Sequence, residues 1–278
     1  MTQDGRKERS PATAMGKPDY AILDRPEVLT RLFHPRPEWA GAGTGPGIDM
    51  DIPVAVDHTV GARLHLGATT GANLLFFHGN GEIVADYDDL GPLYNARGLN
   101  LLAVDYRGYG RSSGTPSVAA MMADCHLILD YCRDWLKDNA YSGPLILMGR
   151  SLGSASVLEL AAAHPDRIQG LIIESGFAYA APLLRLLGID PEAIGFEETA
   201  GFANLDKIRI YNGPTLILHA EYDHIIPYSD SEALFAASPS PAKRHVKITG
   251  ANHNDIFLRG MEIYLDAVEQ FCSKDCKT

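Results

Sequence analysis

With 278 residues the chain is long enough for one large α/β domain or two small ones, and it can bury a sizeable core. Hydrophobic residues make up 46% and charged residues 21%, which fits a folded globular protein and excludes a disordered or fibrous one. A formal net charge of −11 argues against nucleic acid or an anionic membrane surface as a partner, because both repel an acidic surface.

Residues 1–18 are polar, carry Arg6, Lys7, Glu8 and Arg9 with two prolines, and contain no apolar h-region. They read as a disordered leader, with Met15 as an alternative start, rather than as a signal peptide or membrane span. A single α/β domain is expected over 19–278. The charge-poor tract Ala40 to Gly47 reads as a loop. No stretch approaches 18 uninterrupted apolar residues, so a soluble, cytoplasmic protein without a membrane span is expected.

Eight strand-like runs follow, at Ile52–Val56, Arg63–Leu66, Asn73–Phe77, Leu99–Val104, Leu145–Met148, Gly170–Ile173, Thr215–His219 and Arg244–Ile248. From the third onward they alternate with helical patterns at Glu82–Ala96, Ser117–Lys137, Ser154–Ala163, Ser229–Ala236 and Asn254–Phe271. Near-continuous Leu, Ile and Val in strands separated by helices indicate a parallel sheet covered on both faces. The first two runs are close enough to form an antiparallel hairpin at one edge.

In the Ser117–Lys137 helix, Cys125 and Cys132 fall on the apolar face, where they read as core. Cys272 and Cys276 stand four apart without a histidine at ligand spacing, so neither a metal site nor a cofactor is expected. The segment Gly176 to Gly213 breaks the alternation and reads as a small lid over one end of the sheet. Its leucines Leu183, Leu184, Leu186 and Leu187, at helical spacing, are candidates for packing or for lining an acyl pocket.

Chemistry concentrates at Gly149-Arg150-Ser151-Leu152-Gly153, directly after the Leu145–Met148 run and directly before a helical pattern. In this context G-x-S-x-G marks a nucleophilic serine, because a turn from strand to helix within one residue strains the serine and leaves room only for glycine beside it. The competing reading is a serine that caps the helix.

A nucleophilic serine needs a base and an acid, and where the serine sits on a G-x-S-x-G elbow of the α/β-hydrolase kind these follow in the chain order Ser, Asp or Glu, His, each on a loop after a strand. Asp223 lies just beyond the run ending at His219, and His253 just beyond the run ending at Ile248. His253 would take the serine proton, and Asp223 would hold the imidazole tautomer. Glu174 competes with Asp223 for the acid role, and Glu221 and Asp255 are weaker candidates. The backbone N–H groups of Asn80, in His78-Gly79-Asn80-Gly81, and of Leu152 are candidate oxyanion donors. His78 reads as a structural residue beneath that loop.

These elements, with Asp105-Tyr106-Arg107-Gly108-Tyr109-Gly110-Arg111-Ser112, resemble the α/β-hydrolase superfamily over roughly residues 50 to 272. The His-Gly-Asn and Asp-Tyr-x-Gly-Tyr-Gly-x-Ser elements are similar to the small-lid branch containing eukaryotic protein depalmitoylases and serine-aminopeptidase-like hydrolases. Arg150 departs from the depalmitoylases, and the chain looks closer to an uncharacterised bacterial set. The resemblance implies an α/β-hydrolase fold with a mostly parallel eight-stranded sheet, helices on both faces and a small lid. It also implies that the second element is a turn beside the active site, with no catalytic role for Asp105 or Tyr106.

The expected function is hydrolysis of a small-molecule carboxylic ester or thioester through an acyl-enzyme. A serine at position 151, where aspartate would form an alkyl-enzyme, disfavours dehalogenase and epoxide hydrolase chemistry. A peptidase using the same triad is the alternative, and it would need an acidic anchor for the substrate amine from Glu82, Asp86 or Glu174. A non-catalytic ligand-binding protein is the reading from another class.

Overall fold

Strands that are apolar throughout have no face to offer water, so the sheet they form must be covered on both sides. The computed structural model has this form. It describes residues 19–39 and 47–276; the leader 1–18, Met15 and residues 40–46 of the proposed loop lie outside them. The strands are β1 (Ile48–Ala55), β2 (His58–His65), β3 (Ala72–Phe77), β4 (Leu99–Val104), β5 (Leu145–Arg150), β6 (Gly170–Glu174), β7 (Thr215–Ala220) and β8 (Lys243–Ile248). They build one sheet in the order β1-β2-β4-β3-β5-β6-β7-β8. Only β1 with β2 and β2 with β4 are antiparallel; all other pairs are parallel.

Alternate residues of the central strands feed two separate cores. Leu75, Phe77, Leu147 and Ile173 face the core that includes α3 (Val118–Asp138) and α4 (Gly153–Ala163). Leu74, Phe76, Ile146 and Ile172 face the other core, with Tyr94 of α2 (Gly91–Ala96) and Tyr264, Val268 and Phe271 of the C-terminal helix (Ile256–Lys274). Cys125 and Cys132 are buried in the first core and Cys272 and Cys276 lie in the second. Ser117 caps α3, its hydroxyl accepting the Ala120 N–H at 3.0 Å, which satisfies one of the free donors of the first turn.

Three elements depart from the sequence reading. The expected helix Glu82–Ala96 is a short 3-10 turn, Val84–Tyr87, followed by α2, because Pro92 lacks an N–H and can only open a new helix. Pro26–Leu32 forms α1, which the strand-and-helix alternation did not predict although Pro26 and Glu27 make a good helix start. The hairpin turn is tighter than expected: β2 begins at His58, leaving Val56 and Asp57 between the strands.

Residues 176–213 fold into α5 (Ala180–Leu186), α6 (Pro191–Ile194) and α7 (Asn204–Ile208), with a 3-10 turn at Glu198–Ala200. Asp190 caps α6, accepting from the Glu192 and Ala193 amides. Because β3, β5, β7 and β8 run parallel, the loops after all four emerge at one edge of the sheet. That edge is where an open α/β sheet places its ligand site.

Candidate active site

Ser151, the candidate nucleophile, lies in the connection from β5 to α4. Ser151 has φ of 49°, a left-handed conformation that non-glycine residues adopt at a cost on the order of 1–3 kcal/mol. Several contacts hold it there. Its N–H donates to the Glu174 carbonyl at 2.9 Å, and its own carbonyl accepts from the Ser154 hydroxyl at 2.6 Å. Glycine is required beside it: a Cβ on Gly153 would stand 2.0 Å from the Phe77 carbonyl oxygen, and one on Gly149 would stand 2.4 Å from that of Gly153.

His253 Nε2 lies 3.0 Å from Ser151 Oγ, and His253 Nδ1 lies 2.7 Å from Asp223 Oδ2. The three side chains, from the loops after β5, β7 and β8, are thus brought into one hydrogen-bonded line. Burial alone would raise the Asp223 carboxyl, but the hydrogen bond and charge of His253, with the Ile226 amide, hold it below the usual range. It therefore stays ionised at neutral pH. Its other oxygen accepts the Ile225 and Ile226 amides at 3.0 and 2.8 Å, which fixes the carboxylate plane.

The competing acids are engaged elsewhere. Glu174 binds Arg150 and the Tyr264 hydroxyl, Glu221 accepts the Gly250 amide, and Asp255 accepts the Asn252 amide.

After β3 the chain turns through His78-Gly79-Asn80. His78 is fully buried, with Nε2 3.1 Å from Asp105 Oδ1 and Nδ1 2.8 Å from the Gly79 carbonyl. The Asn80 side chain donates to the Leu32 carbonyl at 2.7 Å and accepts from the Tyr109 hydroxyl at 2.7 Å, so the loop is fixed from both sides. Among the described residues, neither the Asn80 nor the Leu152 backbone N–H donates a hydrogen bond. Both residues line the same cavity as Ser151 and His253.

That cavity measures about 250 Å³, and its apolar wall is Leu32, Leu183, Leu186, Leu187 and Ile225. Of the four leucines expected to pack or to line a pocket, Leu184 is buried in the core and the other three face the cavity. Arg31 of α1 donates to the Leu187 and Gly188 carbonyls at 3.1 and 2.6 Å, tying α1 to the end of α5.

Two contributors escaped the sequence reading. One is α1 with the following His34, a part of the wall that lies far from any motif. The other is Arg150, only 7% exposed, whose guanidinium contacts Glu82, Glu174 and the His253 carbonyl. A guanidinium ending an otherwise apolar strand was the available sign, since a charge there must find buried partners.

Residues 68–189 match the family model described as serine aminopeptidase, S33. The chain is 30% identical to the uncharacterised protein YfhR of Salmonella typhimurium over 212 residues, covering 72% of this chain and 70% of that protein. It is 32% identical to human alpha/beta hydrolase domain-containing protein 17B over 212 residues, covering 73% of this chain and 66% of that protein. The Pyrococcus furiosus esterase Pf2001 superposes with a TM-score of 0.69 at 17% identity, over 88% of this chain and 100% of that one, which is a likeness of fold. Sheet order, strand-loop sites and relatives agree, and the chain belongs to the α/β-hydrolase superfamily as a hydrolase.

Proposed function

We propose that this protein is a serine hydrolase that cleaves small carboxylic esters or thioesters through an acyl-enzyme. The observation that carries the reading is the line from Ser151 Oγ to His253 Nε2 at 3.0 Å and from His253 Nδ1 to Asp223 at 2.7 Å. Ser151 Oγ attacks the substrate carbonyl while its proton passes to His253 Nε2. Asp223 accepts the Nδ1–H, keeping Nε2 free to receive that proton and stabilising the imidazolium. The carbonyl oxygen becomes an oxyanion between the Asn80 and Leu152 amides. Collapse breaks the bond to the leaving group, which takes the proton from Nε2; water, activated by the same imidazole, then releases the acid. No step calls for a cofactor.

The apolar wall supports an acyl group as the part of the substrate that is held.

The matched family model, described as a serine aminopeptidase, favours a second reading in which an amine-bearing substrate is cleaved. Such a substrate needs a free carboxylate to hold its ammonium. Glu82, the one carboxylate among the described residues on the cavity wall, is paired with Arg150 at 2.7 Å, Asp86 with Arg36, and Glu174 is buried against Arg150. These three carboxylates are each already paired with an arginine, which favours the ester reading.

A panel of p-nitrophenyl esters of increasing chain length, run beside acyl thioesters and aminoacyl amides, tests this. Esters or thioesters should be cleaved faster than the aminoacyl amides, since the wall beside Ser151 is apolar. Faster hydrolysis of the aminoacyl amides would move the protein to the peptidase reading.

A further inference from the structure

Arg150 stands next to the nucleophile, yet no acyl-transfer step uses it. Its planar fork has three separate engagements. Nε donates to Glu82 Oε1 at 2.7 Å, Nη1 to Glu174 Oε1 at 2.8 Å, and Nη2 to the His253 carbonyl at 2.8 Å. Each partner lies at the root of one part of the site. The other oxygen of Glu82 accepts the Gly79 N–H at 2.7 Å, at the residue preceding Asn80. The backbone carbonyl of Glu174 receives the Ser151 N–H at 2.9 Å. The His253 carbonyl belongs to the base itself.

We propose that Arg150 is a positioning residue that sets the nucleophile, the oxyanion loop and the base in one register. The proposal rests on the serine-hydrolase reading. The guanidinium is rigid and its donors leave at fixed angles, so displacing one partner turns the fork against the other two. A lysine ammonium has three donors on a flexible stem and would meet one carboxylate without fixing all three directions. Two tyrosines complete the cluster: Tyr87 donates to Glu82 Oε2 at 2.6 Å and Tyr264 to Glu174 Oε2 at 2.7 Å, so both carboxylates are held on the side away from Arg150. If filling space under the elbow were the need, apolar side chains would serve at least as well, because a buried ion pair gives little net stability over a packed apolar substitute. The choice of partners, all directly behind groups that would touch the reacting carbonyl, points to geometry instead.

The test compares Arg150→Met, Arg150→Lys and Glu82→Gln with the wild type. Active sites are counted with a p-nitrophenyl phosphonate, in which Ser151 Oγ bonds to phosphorus, p-nitrophenolate leaves and the serine proton passes to His253. Turnover per counted site of a short-chain ester is then measured. Arg150→Met should lower kcat about 100-fold, as a displacement of about 1 Å does, with KM within about threefold. Arg150→Lys should fall between it and the wild type. Glu82→Gln combined with Arg150→Met should add little beyond Arg150→Met alone, since the two act as one unit.

Should Arg150→Met fail to fold, Arg150→Lys and Glu82→Gln decide. Turnover per counted site within about threefold of wild type in both, whatever their melting temperatures, would overturn the positioning role. Ser151→Ala runs alongside: if it keeps wild-type activity, the serine-hydrolase reading fails; if it is inactive while the Arg150 variants are not, only the role of Arg150 fails.

Discussion

The Ser151 N–H donates to the Glu174 carbonyl at 2.9 Å, and this bond joins the tip of the β5–α4 turn to the end of the neighbouring strand β6. A serine with φ of 49° would relax in a free peptide; here the sheet edge holds it. The strained residue, its two glycines and the adjacent strands form one mechanical unit, and substitutions within that unit should affect stability and turnover together.

Gly153→Ala is the sharpest such case. The added methyl would press on the Phe77 carbonyl at the end of β3, the strand that leads into the Asn80 loop. Thermal unfolding should show a loss of roughly 1–3 kcal/mol, as overpacking does elsewhere. Ester turnover should fall as well, because the displaced strand end carries a proposed oxyanion donor.

Asp223→Asn should leave the fold intact and lower kcat by about 10³- to 10⁴-fold. An amide N–H facing His253 Nδ1 favours the tautomer with its proton on Nε2, which then cannot accept the serine proton. His219, 3.5 Å behind Asp223, cannot compensate, because its Nε2 is directed to the Ile226 carbonyl at 2.9 Å. Steady-state kinetics beside a circular dichroism melt separate lost catalysis from lost folding.

Glu82 ties stability to pH. Burial would raise its carboxyl, but the Arg150 charge and the Tyr87 and Arg150 hydrogen bonds bring it from 4.5 down to about 2. A depressed carboxyl contributes stability that is fully present above pH 4.5 and lost as pH falls toward 2. A shift of that size corresponds to something on the order of 3 kcal/mol. Urea titrations between pH 6 and pH 2 should show a shallower acid loss for Glu82→Gln than for the wild type. Parallel curves would show that Glu82 does not supply this dependence.

Leu183→Trp should shorten the accepted acyl chain, since Leu183 forms part of the cavity wall beside Ser151. The ratio of kcat/KM for an octanoate ester to that for an acetate ester should drop about tenfold or more, as a clash over a few methylenes requires. An unchanged ratio would place the acyl chain elsewhere.

Much of this architecture was legible in the sequence. A short apolar run such as Leu145–Met148, followed at once by a glycine-flanked turn, reads as a buried strand, and Gly149 has a local steric cause in the Gly153 carbonyl, whereas the Phe77 carbonyl that excludes a side chain at Gly153 lies on another strand. The placement of Asp223 and His253 beside Ser151 was legible because each follows a strand in parallel register, where neighbouring loops emerge together. The break at Pro92 is written in the sequence, since a proline can open a helix but not continue one. The wall supplied by Leu32 and the three-way engagement of Arg150, whose partners lie 24, 68 and 103 positions away, depend on distant contacts that no local pattern encodes. The side of α5 that faces the cavity likewise follows from its anchoring by Arg31, not from leucine spacing alone.

Whether Ser151 is the nucleophile is tested by the rate of p-nitrophenyl butyrate hydrolysis by the wild type and by Ser151→Ala at equal concentration of folded protein. The variant should lose roughly 10⁴- to 10⁶-fold in kcat. Equal rates would show that Ser151 does not attack the ester.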